Sequence, residues 1–191
     1  MKPFLALLVL LLSASGPTFA QPAADPASLD VTRSQTQEAF DKLKTLAGTW
    51  VGQLTTTPTE PSMVGKLAQH TLQVTSRGNA ILHELSVSSL PDHPVTMFYL
   101  EDDRLVATHY CDAGNRPRMV GRVSPNGKRV EFEFLDLSGD DQYGHMHGVA
   151  FTFIDENHHI EEWTWMLPDH NTVQVRFDLQ RTTMENALSG T

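Results

Sequence analysis

The chain of 191 residues carries 14 lysines and arginines against 23 aspartates and glutamates, a formal net charge of −9. Phosphate backbones and anionic lipid headgroups repel so acidic a chain, which argues against nucleic acid and membrane surfaces as partners. Its single cysteine, Cys111, excludes an intramolecular disulfide, so stability must come from a packed core. We expect the Cys111 thiol to belong to that core rather than to act as a reactive group.

The first twenty residues have the three-part pattern of a secretory signal peptide. Lys2 supplies a positive charge, Phe4 to Leu12 form a short apolar run, and Thr18 and Ala20 place small residues before a cleavage site. That run is too short to span a bilayer, and we expect no membrane span in the rest of the chain. We therefore expect a secreted or periplasmic protein, cleaved near Ala20 and continuing through a flexible lead-in at residues 21–33.

One helix is predicted next. Ser34 and Gln37 have the spacing of a capping box, and Phe40 and Leu43 begin an apolar face at helical spacing. Gly48 is predicted to close this helix, because glycine readily takes the left-handed conformation found at many helix ends.

After Gly48, apolar and polar residues alternate almost to the end of the chain, which is the pattern of half-buried strands. We predict ten strands, at residues 49–55, 66–76, 79–88, 94–100, 104–111, 117–123, 129–137, 147–155, 158–167 and 172–181. A run of hairpins this long curls and closes, because closure removes its exposed edges. The predicted fold is therefore all-β, a closed or nearly closed antiparallel meander barrel with one short N-terminal helix. It forms a single domain over residues 34–185, followed by a flexible tail at 186–191.

The alternation also predicts which side chains face the inside of the barrel. Carboxylates such as Glu131 and Glu162 alternate with aromatic residues and are expected on the outside. The inner wall is predicted to consist of Trp50, Phe132, Phe134, Phe151, Phe153, Trp163 and Trp165. A barrel of this size has room for packed side chains and one small ligand.

Two sets of residues resemble known families. The segment Leu46-Ala47-Gly48-Thr49-Trp50 resembles the opening of lipocalin-type (calycin) barrels and of the nitrobindin-like heme barrels. Thr108 to Met119, His145-Met146-His147 and Glu161 to Thr164 are similar to segments of an uncharacterised secreted bacterial family. The resemblance runs from Phe40 to Arg181 and implies a lipocalin-like barrel without an assigned activity.

Nine histidines supply the first candidates for chemistry. His145 and His147 lie two residues apart, so in a strand both rings share a face, a spacing that metal sites use. His83 and His109 alternate with apolar residues and are expected to face inward. Together, His109, His145 and His147 could hold a divalent metal or a heme. The alternative for each is a core histidine that bonds to a neighbouring hydroxyl or carbonyl group. The pair His158-His159 follows a turn and is expected to face solvent.

The segment 112–118 is the second candidate. Arg116 and Arg118 could present a fork of donors to a carboxylate or phosphate group of a ligand. Alternatively, the segment is a turn in which Asn115 is left-handed and the arginines pair with surface acids. The segment adjoins Tyr110 at a strand end, where barrel mouths place binding groups.

Recognised catalytic motifs are missing from the sequence, which has no nucleophile elbow, phosphate-binding glycine loop or dinucleotide fingerprint. A binding protein that holds a small, largely apolar ligand inside the barrel is therefore favoured over an enzyme. The residues predicted to contact the ligand are Trp50, His83, His109, Tyr110, Asn115, Arg116, Arg118, His147 and Trp163. Three alternatives stay open. They are a metal- or heme-binding barrel through His109, His145 and His147, a barrel enzyme using histidine acid–base chemistry, and a filled structural barrel.

Overall fold

The structure, a computed structural model, describes residues 26–88 and 90–182, with side chains from Ser34 onward. The predicted signal peptide and C-terminal tail lie outside these residues. Helix α1 spans Pro26–Lys44, and short 3₁₀ helices lie at Pro61–Met63 and Ser76–Gly78. The strands are β1 (Gly48–Thr57), β2 (Leu67–Thr75), β3 (Ala80–Val87), β4 (Val95–Glu101), β5 (Arg104–Tyr110), β6 (Arg116–Val123), β7 (Arg129–Ser138), β8 (His145–Asp155), β9 (His158–Met166) and β10 (Thr172–Arg181). Within this described part, no helix combines the length and apolarity needed to cross a bilayer.

The ten strands form a closed antiparallel barrel in which each strand pairs with its neighbours in the chain. Closure comes from the pairing of β1 with β10, which runs from Trp50 opposite Arg181 to Thr57 opposite Gln174. Every strand of the barrel thus has a partner on both sides, and no edge is left open. The predicted closed all-β meander with one N-terminal helix is confirmed.

The helix boundaries differ from the prediction. The helix begins at Pro26, so Ser34 and Gln37 lie inside it, and the Gln37 amide donates to Asp41 at 3.1 Å instead of capping. Serine inside a helix costs only a fraction of a kcal/mol, so it does not have to end one. Gly48 does have a positive φ of 139°, but it opens β1 rather than closing the helix.

Helix α1 covers one end of the barrel, called here the helix end. Its Phe40 and Leu43 are buried, and it packs against β4, β5 and β6. Just beyond it, Trp50 donates from Nε1 to the Leu46 carbonyl at 2.7 Å. The Arg181 guanidinium lies 4.1 Å from the centre of the Trp50 ring, so this end is sealed by stacked side chains.

The inside of the barrel is packed toward the helix end. Phe98, Phe132 and Phe151 contact one another with ring centroids 5.1 to 6.3 Å apart, and each is at most 1% exposed. These rings fill the lumen there, as predicted for Phe132 and Phe151. Phe134 and Trp165, also predicted for the inner wall, are only half-buried.

Candidate functional site

A cavity of about 420 Å³ opens at the end of the barrel opposite α1. This volume lies within the range of small-molecule sites. Most of its wall is apolar, and the apolar lining includes Leu85, Val87, Trp163, Trp165, Val175 and Phe177. Its polar lining consists of Asp92, His109, Cys111 and Asp112.

Strand alternation builds this wall. Across the β9–β10 ladder, Val173 lies opposite Trp165, and Val175 lies opposite Trp163. Both pairs face inward because side chains two residues apart share one face of a sheet. The next inward pair of the same ladder is Phe177 with Glu161. The strand register that forms the apolar wall therefore also places the Glu161 carboxylate inside the barrel.

Glu161 is fully buried and is bonded by four side chains. Its Oε2 lies 2.9 Å from Nδ1 of His70, 2.9 Å from Nε1 of Trp163 and 3.3 Å from Nε2 of His83. Its Oε1 lies 3.0 Å from Nε2 of His159. The three histidines are completely buried as well. His70, His83, His159 and Glu161 are called the histidine–glutamate cluster below.

Burial and hydrogen bonding set the charge of this cluster. Burial alone would raise the pKa of Glu161, but the neighbouring His70 and His83, with the hydrogen bonds it accepts, hold its pKa well below the usual range. Burial lowers the pKa of His70, although Glu161 opposes this. The pKa values of Glu161 and His70 are therefore set by their mutual interaction as well as by burial. The second ring nitrogens of the cluster's histidines have no hydrogen-bond partner among the described residues.

The cluster lies between the packed phenylalanines and the cavity. On one side, His83 stacks on Trp163 with a centroid distance of 5.5 Å, and His70 packs edge-on against Phe177 at 4.5 Å. Trp163 and Phe177 are also part of the cavity wall. On the other side, the His83 ring lies 6.2 Å from Phe98 and 6.3 Å from Phe151, and His159 packs perpendicular to Trp50 at 4.2 Å between centroids. The cluster thus forms the layer directly beneath the cavity.

His109 is the histidine that lines the cavity. Its Nδ1 lies 2.8 Å from the Thr96 hydroxyl, which leaves Nε2 available to a ligand. Burial and repulsion from His83 lower the pKa of His109 to about 4, against an opposing effect of Asp112. At neutral pH the ring is therefore uncharged. The predicted inward orientation of His83 and His109 is confirmed, but His83 lies behind Trp163 and not in the cavity wall.

Two carboxyl groups stand at the rim of the cavity. Burial and a hydrogen bond with Asp112 raise the pKa of Asp92. Burial works in the same direction on Asp112, but hydrogen bonds from Cys111 and Asp92 outweigh it, and the pKa of Asp112 is lowered. Burial also raises the pKa of the Cys111 thiol to about 12, so the thiol is not a nucleophile. The rim therefore carries negative charge and no reactive group.

The predicted metal set His109, His145 and His147 does not come together. His145 and His147 are neighbours, with Nε2 of His145 3.2 Å from Nδ1 of His147. However, a β-bulge between Met146 and Gly148 breaks the inward–outward alternation of β8. As a result Met146, not His147, lines the cavity. His145 and His147 instead pack on Phe134, at 4.7 and 5.0 Å.

A different group converges instead. His70, His83 and Glu161 place one ligand atom each close enough together to hold a metal ion. This is the group of His, Cys, Asp and Glu side chains found with that geometry among the described residues. Two of these three, His70 and Glu161, were not among the predicted site residues. The signal was present in the sequence, because Glu161 shares its strand face with Trp163. An inward carboxylate requires buried partners.

The arginines of the segment 112–118 bind surface groups of the protein. The Arg118 guanidinium donates to Asp136 from Nε at 2.9 Å and from Nη2 at 2.7 Å, and to Glu101 from Nη1 at 3.2 Å. Arg116 is exposed and donates to the Ser138 hydroxyl at 3.3 Å. Neither arginine lines the cavity. The two side chains therefore pair with surface groups of the protein, as in the alternative given above, and do not present donors to a ligand in the cavity.

Asn115 and Tyr110 also lie outside the cavity wall. The buried Asn115 amide donates to the carbonyls of Asp140 and Gly144, at 2.9 and 2.8 Å, and so ties the β5–β6 loop to the β7–β8 loop. The left-handed residue of this turn is Gly114, with φ of 81°. Tyr110 is 49% exposed.

Two further predictions are corrected. Trp50 seals the helix end and is 0% exposed, so it is not a cavity residue. His159, predicted to face solvent, is also 0% exposed, because it shares the inward face of β9 with Glu161 and Trp163. Its neighbour His158 faces outward and lies 2.9 Å from Asp178.

A larger depression of about 760 Å³ lies beside the helix end. Its wall includes the charged residues Lys42, Lys128, Asp155, Glu156 and Arg181. The Arg181 donors are already used by the carbonyls of Thr45, Ala47 and Glu156. A charged, open depression of this kind lacks the enclosed apolar surface of a small-molecule site.

Comparison with known proteins supports the fold alone. No protein-family model matches the chain, and no curated protein matches it. Among solved structures, the chain is similar to the crystal structure of a protein of unknown function from the DUF3598 family of Nostoc punctiforme PCC 73102. The TM-score is 0.51 at 10% identity, over 73% of this chain and 49% of that chain. This chain thus spans about half the length of that neighbour.

Proposed function

We propose that this protein binds a small, neutral, largely apolar molecule in the cavity at the open end of its barrel. The observation that carries the proposal is the cavity of about 420 Å³ walled by Trp163, Trp165 and Phe177. A concave, mostly apolar wall with a few polar groups is the usual form of a small-molecule site. Burial of apolar ligand surface there would contribute roughly 25 cal/mol per Å².

The charges around the cavity favour a neutral ligand over an anionic one. No lysine or arginine belongs to the cavity wall in the described part of the chain, and His109 is uncharged at neutral pH. An anionic headgroup would therefore be buried near the ionised Asp112 without a compensating cation, which is costly. A carrier of fatty-acid anions is thus disfavoured.

His109 is the polar group that would orient the ligand. Its Nδ1 is occupied by Thr96, and its Nε2 can exchange one hydrogen bond with a hydroxyl, carbonyl or amine group. Discrimination between related ligands would then depend on that one bond, since an unpaired polar group in an apolar cavity is costly.

Two fluorescent probes with the same ring system test this proposal. N-phenyl-1-naphthylamine is neutral, and 1-anilino-8-naphthalenesulfonate differs from it by one sulfonate group. We expect saturable binding of the neutral probe with enhanced emission, and at least roughly tenfold weaker binding of the sulfonate, because Asp112 repels it. Absence of binding of the neutral probe, or equal binding of both, would contradict the proposal.

A cavity-filling variant separates the cavity from the outer surface. Val175→Trp adds a large ring to the cavity wall and should abolish probe binding. Val74→Trp places the same ring on a strand position that is 37% exposed and serves as the matched control. Thermal unfolding of both variants verifies that they are folded.

The barrel is also proposed to be lipocalin-like and exported. The closed meander with a helix across one end and the Gly48-Thr49-Trp50 opening support the first point. The signal-peptide pattern of residues 1–20 supports the second.

Export is tested by expressing the full chain in a Gram-negative bacterium and sequencing the N-terminus of the soluble product. The expected product lies in the periplasmic fraction and begins at or near Gln21. A cytoplasmic product that retains Lys2 would contradict export.

A further inference from the structure

The histidine–glutamate cluster has the geometry of one face of a tetrahedral metal site. Nδ1 of His70, Nε2 of His83 and Oε2 of Glu161 form a triangle with edges of 2.9, 3.3 and 3.3 Å. Ligands about 2.0 to 2.1 Å from a zinc ion in a tetrahedral site lie about 3.3 Å from one another. An ion placed slightly above this triangle would therefore reach all three atoms with little movement.

We propose that His70, His83 and Glu161 bind a divalent transition-metal ion. This inference does not depend on the ligand of the cavity. The three atoms come from β2, β3 and β9, so the site exists only in the folded barrel. Two imidazoles and a carboxylate suit zinc and the neighbouring transition metals, whereas magnesium and calcium prefer oxygen ligands alone.

The burial of the carboxyl group supports the proposal beside the geometry. The Glu161 side chain is 0% exposed, and within the described residues no lysine or arginine side chain contacts it. Carboxyl groups buried this completely are usually paired with a cation or coordinate a metal ion. A divalent cation would supply that partner.

The ligand nitrogens are crowded when no ion lies between them. Nδ1 of His70 and Nε2 of His83 lie 3.3 Å apart, and both point at the same carboxylate oxygen that already accepts from Trp163. If both nitrogens carried protons, two donors would press against each other at one acceptor. With a metal ion bound, both nitrogens are deprotonated and direct their lone pairs at the ion.

Other groups hold the carboxylate in the orientation that a ligand needs. His159 bonds to Oε1 at 3.0 Å, and Trp163 donates to Oε2 at 2.9 Å. Hydrogen bonds to a ligating carboxylate are typical of metal sites, where they fix the ligand. We assign His159 and Trp163 this positioning role, with three protein ligands leaving a fourth coordination position for water or another small molecule.

The test is a measurement of zinc binding by the refolded protein. Because the cluster is completely buried, the purified protein is unfolded in guanidinium with a chelator and refolded with zinc, and loosely bound ions are removed by dialysis. We expect one zinc ion per chain, a higher melting temperature than for protein refolded without metal, and no effect of magnesium. Cobalt in place of zinc should give the visible absorption bands of a tetrahedral ion.

Matched variants locate the ion. Glu161→Gln and His83→Gln should each reduce zinc retention at least tenfold, and the second variant serves if the first does not fold. The double variant His145→Gln, His147→Gln removes the other histidine pair and should retain zinc fully. A wild-type protein that refolds normally but retains no zinc would overturn the proposal. Full retention by both cluster variants, or loss in the His145, His147 double variant, would overturn it as well.

Discussion

At the scale of single residues, the interior of the barrel is decided by which side chains the alternation carries inward. The rule that places Trp163 inside also places His159 and Glu161 there, since they share one face of β9. The predicted outward orientation is correct for the exposed Glu131, whereas Glu161, for which no orientation was predicted, faces inward. The strand pattern has priority over the polarity of a single residue, provided that the fold supplies hydrogen-bond partners.

His109 gives a prediction at this scale, because its pKa is lowered to about 4 by burial and by His83, with Asp112 opposing. In the unfolded chain its pKa is near the ordinary 6.5, so between about pH 6.5 and 4 the unfolded state binds a proton that the folded state does not. The free energy of unfolding must therefore fall as the pH falls through this window, by at most about 3 kcal/mol from this residue.

The variant His109→Asn should remove that part of the pH dependence while retaining a polar group near Thr96. Urea unfolding of both proteins at pH 7 and pH 4.5 measures the difference. A smaller loss of stability in the variant is expected. An identical loss in the two proteins would show that burial does not keep His109 neutral.

At the scale of elements, the strands were predictable and their irregularities were not. Alternation is a repeated signal over many residues, so all ten strands were found within a few residues of their observed ends. The β-bulge at Met146 and Gly148 is a single added residue without a sequence signature, and it reversed the expectation for His147. The start of α1 was misplaced because a capping pattern is local and does not prevent a helix from beginning earlier.

The contact between α1 and the barrel gives a second prediction. Arg181 donates to the carbonyls of Ala47 and Thr45, at 2.7 and 3.0 Å, and covers the Trp50 ring. Arg181→Gln should therefore lower the free energy of unfolding by about 1 to 3 kcal/mol, because it removes hydrogen bonds to carbonyls of the turn that follows the helix and a cation–π contact.

Arg176→Gln on the same strand is the matched control, since Arg176 is 41% exposed and pairs only with Asp178 among the described residues. Its effect should stay within about 0.5 kcal/mol, as for most exposed ion pairs. Urea titration followed by tryptophan emission measures both variants. Equal effects would mean that Arg181 does not fasten the helix end.

At the scale of the whole molecule, the arrangement of the aromatic rings distinguishes the filled end of the closed barrel from the end that holds the cavity. Large rings from Phe98, Phe132 and Phe151 meet near the helix end and fill it. At the opposite end, Trp163, Trp165 and Phe177 line the wall together with aliphatic residues such as Val175, and the cavity remains between them. The sequence predicted closure, because a long meander must hide its edges. It did not predict which end of the barrel is filled and which end holds the cavity, because this depends on contacts between strands far apart in the chain.

A crystal structure of the protein with N-phenyl-1-naphthylamine is the most direct test of the account. The account predicts electron density for one probe molecule between Trp163, Trp165 and Phe177, with its amine within hydrogen-bond distance of His109. A probe bound only on the outer surface, or a cavity that stays empty at saturating probe, would contradict it.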